Sequence, residues 1–415
     1  MVISRQRKLP HRYGENTATQ KGASKPQPKT LAATISGDMK RVCKAVKIDD
    51  LELIIQATYA CLRPAKKRQR ADTRAMFARL LEITKSQAKR VLMKRGELYD
   101  EGVRRVALML QECIIRRELN LVPVRQEMRQ DPSSKKMRLI SILGIRQLLF
   151  DHVAVLGMQE LAARIGEYQV SSIPGRGAAY GKRAVERWLA KVSCKYAVKM
   201  DIRNFYGSVK REVMMEWLRR RVKNEPLLWL LRQLIYNAPE GIAIGSYLSQ
   251  TLANIYLSDL YHLAMERCVN KRGKRQVKHA LFYMDDMLLL GTNKRGLKAA
   301  AQALTARAEE LGLEVKPEWH VFKITQQRPV DVMGFRFSHG MTTLRKRIFK
   351  AARRTILRAG RSYRKRGRIG LRMSCRLASY HGYMLTTACK CFLHRTGAHL
   401  IFQTAFKQTS SHAKN

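Results

Sequence analysis

Acid is what this chain has least of. Among 415 residues there are 32 Asp and Glu against 81 Lys and Arg, a formal charge of +49 and a pI near 10.6. After Asp331 no acidic residue occurs at all. A surface so unbalanced repels cationic partners and selects a polyanion, with nucleic acid ahead of a membrane surface. Long apolar runs are also missing: none is long enough to span a bilayer, and none near the N-terminus reads as a signal peptide. The sequence therefore predicts a soluble, cytoplasmic protein with no membrane partner. Paired cysteines are absent too. The eight cysteines, Cys43, Cys61, Cys113, Cys194, Cys268, Cys375, Cys389 and Cys391, lack the spacings of a zinc site, so reduced thiols and no zinc are expected. What is present is a 45% hydrophobic composition, ordinary for a globular chain with two or three substructures.

Residues 1–30 carry seven Lys or Arg and few large apolar side chains, and read as a disordered basic arm. Helical patterning dominates 31–119. It is clearest from Asp100 to Arg116, where Val103, Val106, Ala107, Leu110 and Ile114 recur at helical spacing opposite basic residues. From Asn120 the period shortens toward strands. Leu297, Ala301, Leu304, Ala308 and Leu311 trace a later helix, and basic helical runs continue through Arg345–Arg366.

The chemistry concentrates in three carboxylates. Asp285 and Asp286 interrupt an apolar, aromatic run, His279 to Leu290, where a β-hairpin should turn. Two adjacent like charges raise each other's proton affinity unless a cation neutralises them. A solvated turn is the plain alternative for this pair taken alone. Upstream, Tyr196 to Met200 reads as a buried strand that runs into Asp201. Three carboxylates of this kind can hold two Mg²⁺ ions, with Mn²⁺ as a substitute, roughly 3.5 to 4 Å apart for phosphoryl transfer.

Asp201 with Phe205-Tyr206, Gly241 to Gln250 leading into Thr251 to Leu257, and Tyr283-Met-Asp-Asp286 together resemble the ordered motifs of reverse transcriptases. The resemblance runs from about Asn120 to Leu400. It implies an α+β, right-hand fingers-palm-thumb fold with an RRM-like palm sheet, preceded by a helical N-terminal extension. It divides the chain into the arm (1–30), that extension (31–119), fingers and palm (120–338), a basic helical thumb (339–402) and a flexible tail (403–415). The activity implied is RNA-directed DNA synthesis from dNTPs on template RNA, passing through an RNA–DNA hybrid.

Residue by residue, Asp201, Asp285 and Asp286 match the catalytic acids, and Ile202 joins them in the metal set. Lys136 and Arg138, alternating onto one face of a hairpin strand, match the pair that contacts the incoming triphosphate; two solvated charges are the alternative. Tyr206 matches the ring beneath the sugar, which excludes a 2′-hydroxyl. Gly245 and Gln250 fall in the nucleotide-contacting loop, with Ser249 expected to cap the next helix. Most of the family carry Gln where Ile244 stands and Ser-Pro where Ser249-Gln250 stand. The pattern here is similar to enzymes of diversity-generating retroelements, which err opposite template adenine and work with a small basic accessory protein. Ile244 offers no side-chain hydrogen bond, although it could simply pack. A defence-associated or other unclassified prokaryotic enzyme, or an RNA-binding intron maturase, remains open.

For nucleic acid the resemblance implies Arg176 in the glycine-flanked Ser171 to Gly177 loop, where an ordinary loop is the alternative, and Gly334 in a hairpin like the primer grip. It also implies Arg345, Lys346 and Arg353 at the start of a thumb whose segment His339 to Asn415 holds 18 Lys or Arg. Lys316, His320 and Lys323 are candidate proton donors to departing pyrophosphate. No acidic cluster remains for an RNase H domain.

Overall fold

The computed structural model describes residues 40–130, 137–190 and 193–414; Arg41–Asn415 form one compact unit. The expected arm at 1–30 and Lys136 lie outside the described residues.

The chain opens with helices α1 (Leu51–Leu62), α2 (Ala65–Arg68), α3 (Ala71–Leu81), α4 (Lys85–Lys94) and α5 (Glu97–Ile115). Their starts obey local chemistry: Asp50 accepts from the Leu53 N–H at the head of α1, and Thr84 with Gln87 forms a capping box on α4. The apolar stripe read from the sequence, Val103 to Ile114, is buried along α5. That helix begins three residues earlier than the stripe alone suggests, because Gly96 serves as N-cap and Tyr99 adds to the buried face. This helical layer is continuous with the rest of the molecule. Its apolar residues share one core with the later helices and with one face of the central sheet.

Next come hairpin strands β1 (Arg125–Gln130) and β2 (Met137–Ile142), then α6 (Ile145–Gly157), α7 (Gln159–Ala162) and α8 (Ala178–Ala190). Strand β3 (Tyr196–Asp201) leads through α9 (Phe205–Ser208), α10 (Arg211–Arg219), α11 (Glu225–Tyr236) and α12 (Tyr247–His262) to β4 (His279–Tyr283) and β5 (Asp286–Gly291). Helix α13 (Lys294–Glu310) and β6 (Val321–Lys323) complete an antiparallel sheet of order β4-β5-β3-β6. Because side chains alternate across a strand, Val198, Met200, Met287 and Leu289 enter the larger core, where α13 packs on the sheet. Ala197, Leu288 and Leu290 face a second core built with α8 and the C-terminal elements. The sheet is thus buried on both faces, and its acidic residues, Asp201 and Asp286, lie together at one end. This is the RRM-like palm of a fingers-palm-thumb hand.

Strands β7 (Val330–Val332), β8 (Phe335–Ser338) and β9 (Met341–Leu344) make a second sheet that feeds helices α14 (Lys346–Arg366), α15 (Leu371–Leu385), α16 (Lys390–Arg395) and α17 (Ala398–Lys414). Ala352, Ile356 and Ala359 of α14 pack inward while Arg353, Arg354, Arg358 and Arg361 are exposed. Helix α17 corrects the expected tail: 403–414 is helical, with Phe402 and Ala405 buried, so its apolar face continues the thumb core. No described helix is long and apolar enough to cross a membrane.

Candidate active site

Strand register brings the carboxylates together. Asp201, the last residue of β3, pairs directly with Asp286, the first of β5. Directly opposed side chains in an antiparallel pair lie on one face with Cβ atoms about 4.5–5.5 Å apart. Asp285 is in the two-residue turn, since Tyr283 pairs with Asp286. Met284 takes a left-handed φ of 58° there, where an L side chain is strained and glycine is usual. Strain at such a position is characteristic of functional turns.

The electrostatics are poised for cations. Lys316 Nζ lies 2.9 Å from Asp201 Oδ2, and Lys199 Nζ lies 3.2 Å from Asp286 Oδ2. The other oxygens, Asp201 Oδ1 and Asp286 Oδ1, are buried without a hydrogen-bond partner. Burial, partly countered by Lys199, pushes the Asp286 carboxyl up to about 6; Asp201 and Asp285 add to the rise. Asp285 is raised for the same first reason, with repulsion from Asp201 opposed by Lys316 and Arg138. Hard oxygen donors with orphaned, buried lone pairs fit a divalent cation. Among the described residues no three His, Cys, Asp or Glu side chains converge tightly enough to hold one as they stand. Two ammonium groups supply the positive charge in this arrangement. Ile202 adjoins the cluster through its N–H, which donates to the Asp285 carbonyl at 3.4 Å.

Of the expected nucleotide residues, Tyr206 and Arg138 are close enough to Asp285 to act on its charge. Tyr206, on α9, is half-buried, and its hydroxyl is pushed up to about 12 by burial and then by Asp285. Gly241 backs onto it. The Ile242 N–H donates to the Tyr206 carbonyl at 2.9 Å, and a Cβ at Gly241 would fall 2.1 Å from that oxygen, so only glycine fits. Ile244 is half-buried, and its carbonyl accepts from Ser141 N–H of β2 at 3.2 Å; Gly245, at φ 103°, is exposed. Arg138 is exposed on β2, near enough to lower the Asp285 proton affinity. Gln250 is half-buried in the first turn of α12. The cap of that helix is Ser246 and not Ser249: Ser246 Oγ accepts from Ser249 N–H at 3.0 Å. Two serines three residues apart are equivalent start signals in sequence, and the structure selects the earlier one.

Two nucleic-acid candidates are engaged within the protein. Arg176 Nη1 donates to the carbonyls of Gly166 at 2.6 Å and Gln169 at 3.3 Å, so it braces its own loop rather than presenting that group to phosphate. Arg345 pairs with Asp331 at 2.5 Å, the last acid in the chain. Gly334, at φ 87°, completes the Met333–Gly334 turn of β7–β8, where a side chain would strike Ile348. Lys346 and Arg353 are exposed on α14. Of the proton-donor candidates, Lys316 alone pairs with one of the three carboxylates, Asp201; His320 lies against the Arg328 guanidinium, and Lys323 is exposed on β6.

Sequence reasoning missed Lys199, whose place two residues before Asp201 puts it on the same strand face. It also missed Asp151, a lone acid in the apolar run Leu148 to Leu156. The sequence pattern of the family described as reverse transcriptase (RNA-dependent DNA polymerase) matches residues 129–337, half of the chain. Among solved structures, telomerase from Candida albicans in complex with a TWJ fragment of telomeric RNA is similar at 10% identity and a TM-score of 0.39, over 57% of this chain and 49% of that one. An RNA-dependent RNA polymerase of BmCPV at elongation state gives 12%, 0.41, and 72% and 29%. Apo telomerase from Candida tropicalis gives 12%, 0.40, and 76% and 86%. The chain spans about half the length of the first of these. No curated protein sequence matches it.

Proposed function

Because the chain belongs to the reverse transcriptase family of RNA-dependent DNA polymerases, we propose that it extends a primer with dNTPs on an RNA template. The observation that carries this reading is the register that sets Asp201 opposite Asp286, beside Asp285, with one buried oxygen of each strand-end acid unpartnered.

In the proposed reaction the primer 3′-oxygen attacks the α-phosphorus, a new phosphodiester forms and pyrophosphate leaves. Asp201, Asp285 and Asp286, with the backbone at Ile202, would hold Mg²⁺ or Mn²⁺, which when bound supplies positive charge to the attacking and leaving oxygens. Arg138, with Lys136, grips the triphosphate; a guanidinium can do so bidentately. Tyr206, fixed from behind by Gly241, excludes a ribose 2′-hydroxyl. Lys316 is the candidate best placed to pass a proton toward the pyrophosphate side, its Nζ being 2.9 Å from Asp201. Lys346 and Arg353 track the hybrid through its phosphates.

The finer reading is a cytoplasmic, error-prone enzyme of a bacterial or phage diversity-generating retroelement, acting with a small basic accessory protein. Its support is the run Ile244-Gly245 to Ser249-Gln250. Primer extension on an RNA template with dNTPs or rNTPs tests the main proposal. Metal-dependent dNTP uptake is expected. Preferential rNTP uptake would overturn deoxynucleotide selection, and RNA binding without any uptake would favour the maturase alternative.

A further inference from the structure

Asp151 lies in the middle of α6, is 0% exposed, and among the described residues receives only neutral hydrogen-bond donors. Ser246 Oγ donates to its Oδ2 at 2.7 Å, and Gln147 Nε2 approaches its Oδ1 at 3.5 Å. Burial pushes its carboxyl up to about 6, against these bonds and the attraction of Lys67. A buried carboxylate without an ion pair is unfavourable, and an apolar residue would pack there at lower free energy.

The carboxylate sits under the N-terminus of α12, where the N–H groups of the first turn need acceptors. Ser246, held by Asp151, accepts one such N–H from Ser249 at 3.0 Å. One turn back on α6, Gln147 donates to the Leu234 carbonyl at 3.2 Å and accepts from Asn237 Nδ2 at 2.6 Å. Residues four apart share a helix face, so one face of α6 pins both ends of the loop 237–246. Between those ends, the Ile242 N–H is bonded to Tyr206 and the Ile244 carbonyl to Ser141 of β2.

We propose that Asp151 is a positioning residue for the incoming nucleotide: through Ser246 and the α12 N-terminus it fixes the Ile244–Gly245 backbone against β2 and Tyr206. The inference rests on the polymerase reading for the role of that loop. It assigns the work to a residue that touches no substrate.

Steady-state dNTP incorporation by wild type, Asp151→Asn, Ser246→Ala and the double variant tests it, with RNA affinity and melting temperature measured alongside. Loss of about one hydrogen bond's restraint should raise the KM for dNTP on the order of fivefold, with kcat and RNA affinity changed less. Because both side chains act through one contact, the double variant should be no worse than the poorer single one. Ser246→Ala removes only a hydroxyl, so it carries the KM test should Asp151→Asn not fold. Lowered melting temperatures with unchanged KM, or losses that simply multiply, would overturn the positioning role. Absence of incorporation by wild type would instead remove the polymerase reading itself.

Discussion

Removing the charge of Asp286 should make the metal-free protein more stable while destroying its activity. The folded carboxyl is raised from an ordinary 3.8 to about 6. Between those values the unfolded chain has released a proton that the folded chain retains, so stability falls as pH rises through that window. Below about pH 4 the penalty is absent, and above about 6 it is complete. A shift of about two units corresponds to about 3 kcal/mol. Asparagine stands in for the neutral acid, so Asp286→Asn should match wild type near pH 4 and exceed its unfolding free energy by up to about 3 kcal/mol at pH 7.5. Chemical denaturation in chelator across that range measures the difference. Adding Mg²⁺ should narrow the gap, because a cation that binds only the wild-type folded site stabilises it by mass action. A variant less stable than wild type at every pH, with no pH dependence in the difference, would refute the electrostatic account of the site.

Arg138→Ala should chiefly raise the KM for dNTP, because a contact to the triphosphate exists before chemistry; a steady-state titration in dNTP checks it. Ile244→Gln should lower misincorporation opposite template adenine several-fold, the worth of about 1 kcal/mol of added hydrogen-bond restraint, as read by sequencing cDNA made on one template. Identical adenine error rates in the two proteins would show that Ile244 only packs.

The meeting of the three carboxylates was legible because its parts carry local signals. An apolar strand ending in Asp201 and a hairpin broken by Asp285-Asp286 are both readable from alternation and turn chemistry, and only the pairing of Asp201 with Asp286 needed the structure. The helix at 97–115 was likewise visible in its apolar period. What escaped was set by contacts distant in sequence. Whether Arg345 meets nucleic acid or Asp331, and whether Arg176 faces outward or closes its own loop, depends on which acceptors the fold brings near. A guanidinium looks the same in sequence either way. The helical character of 403–414 was hidden for a related reason: its polar composition resembles a solvated tail, and only packing of Phe402 and Ala405 on the thumb reveals the buried face.

The claim that Asp201, Asp285 and Asp286 form the chemical centre while the basic surface binds RNA separately is tested most directly by the double variant Asp285→Ala/Asp286→Ala. In one preparation, RNA affinity and dNTP incorporation on a primed RNA template are measured side by side. The account predicts RNA binding close to wild type, because Lys346, Arg353 and the thumb arginines are untouched, with incorporation reduced to background. Incorporation at the wild-type rate would contradict it.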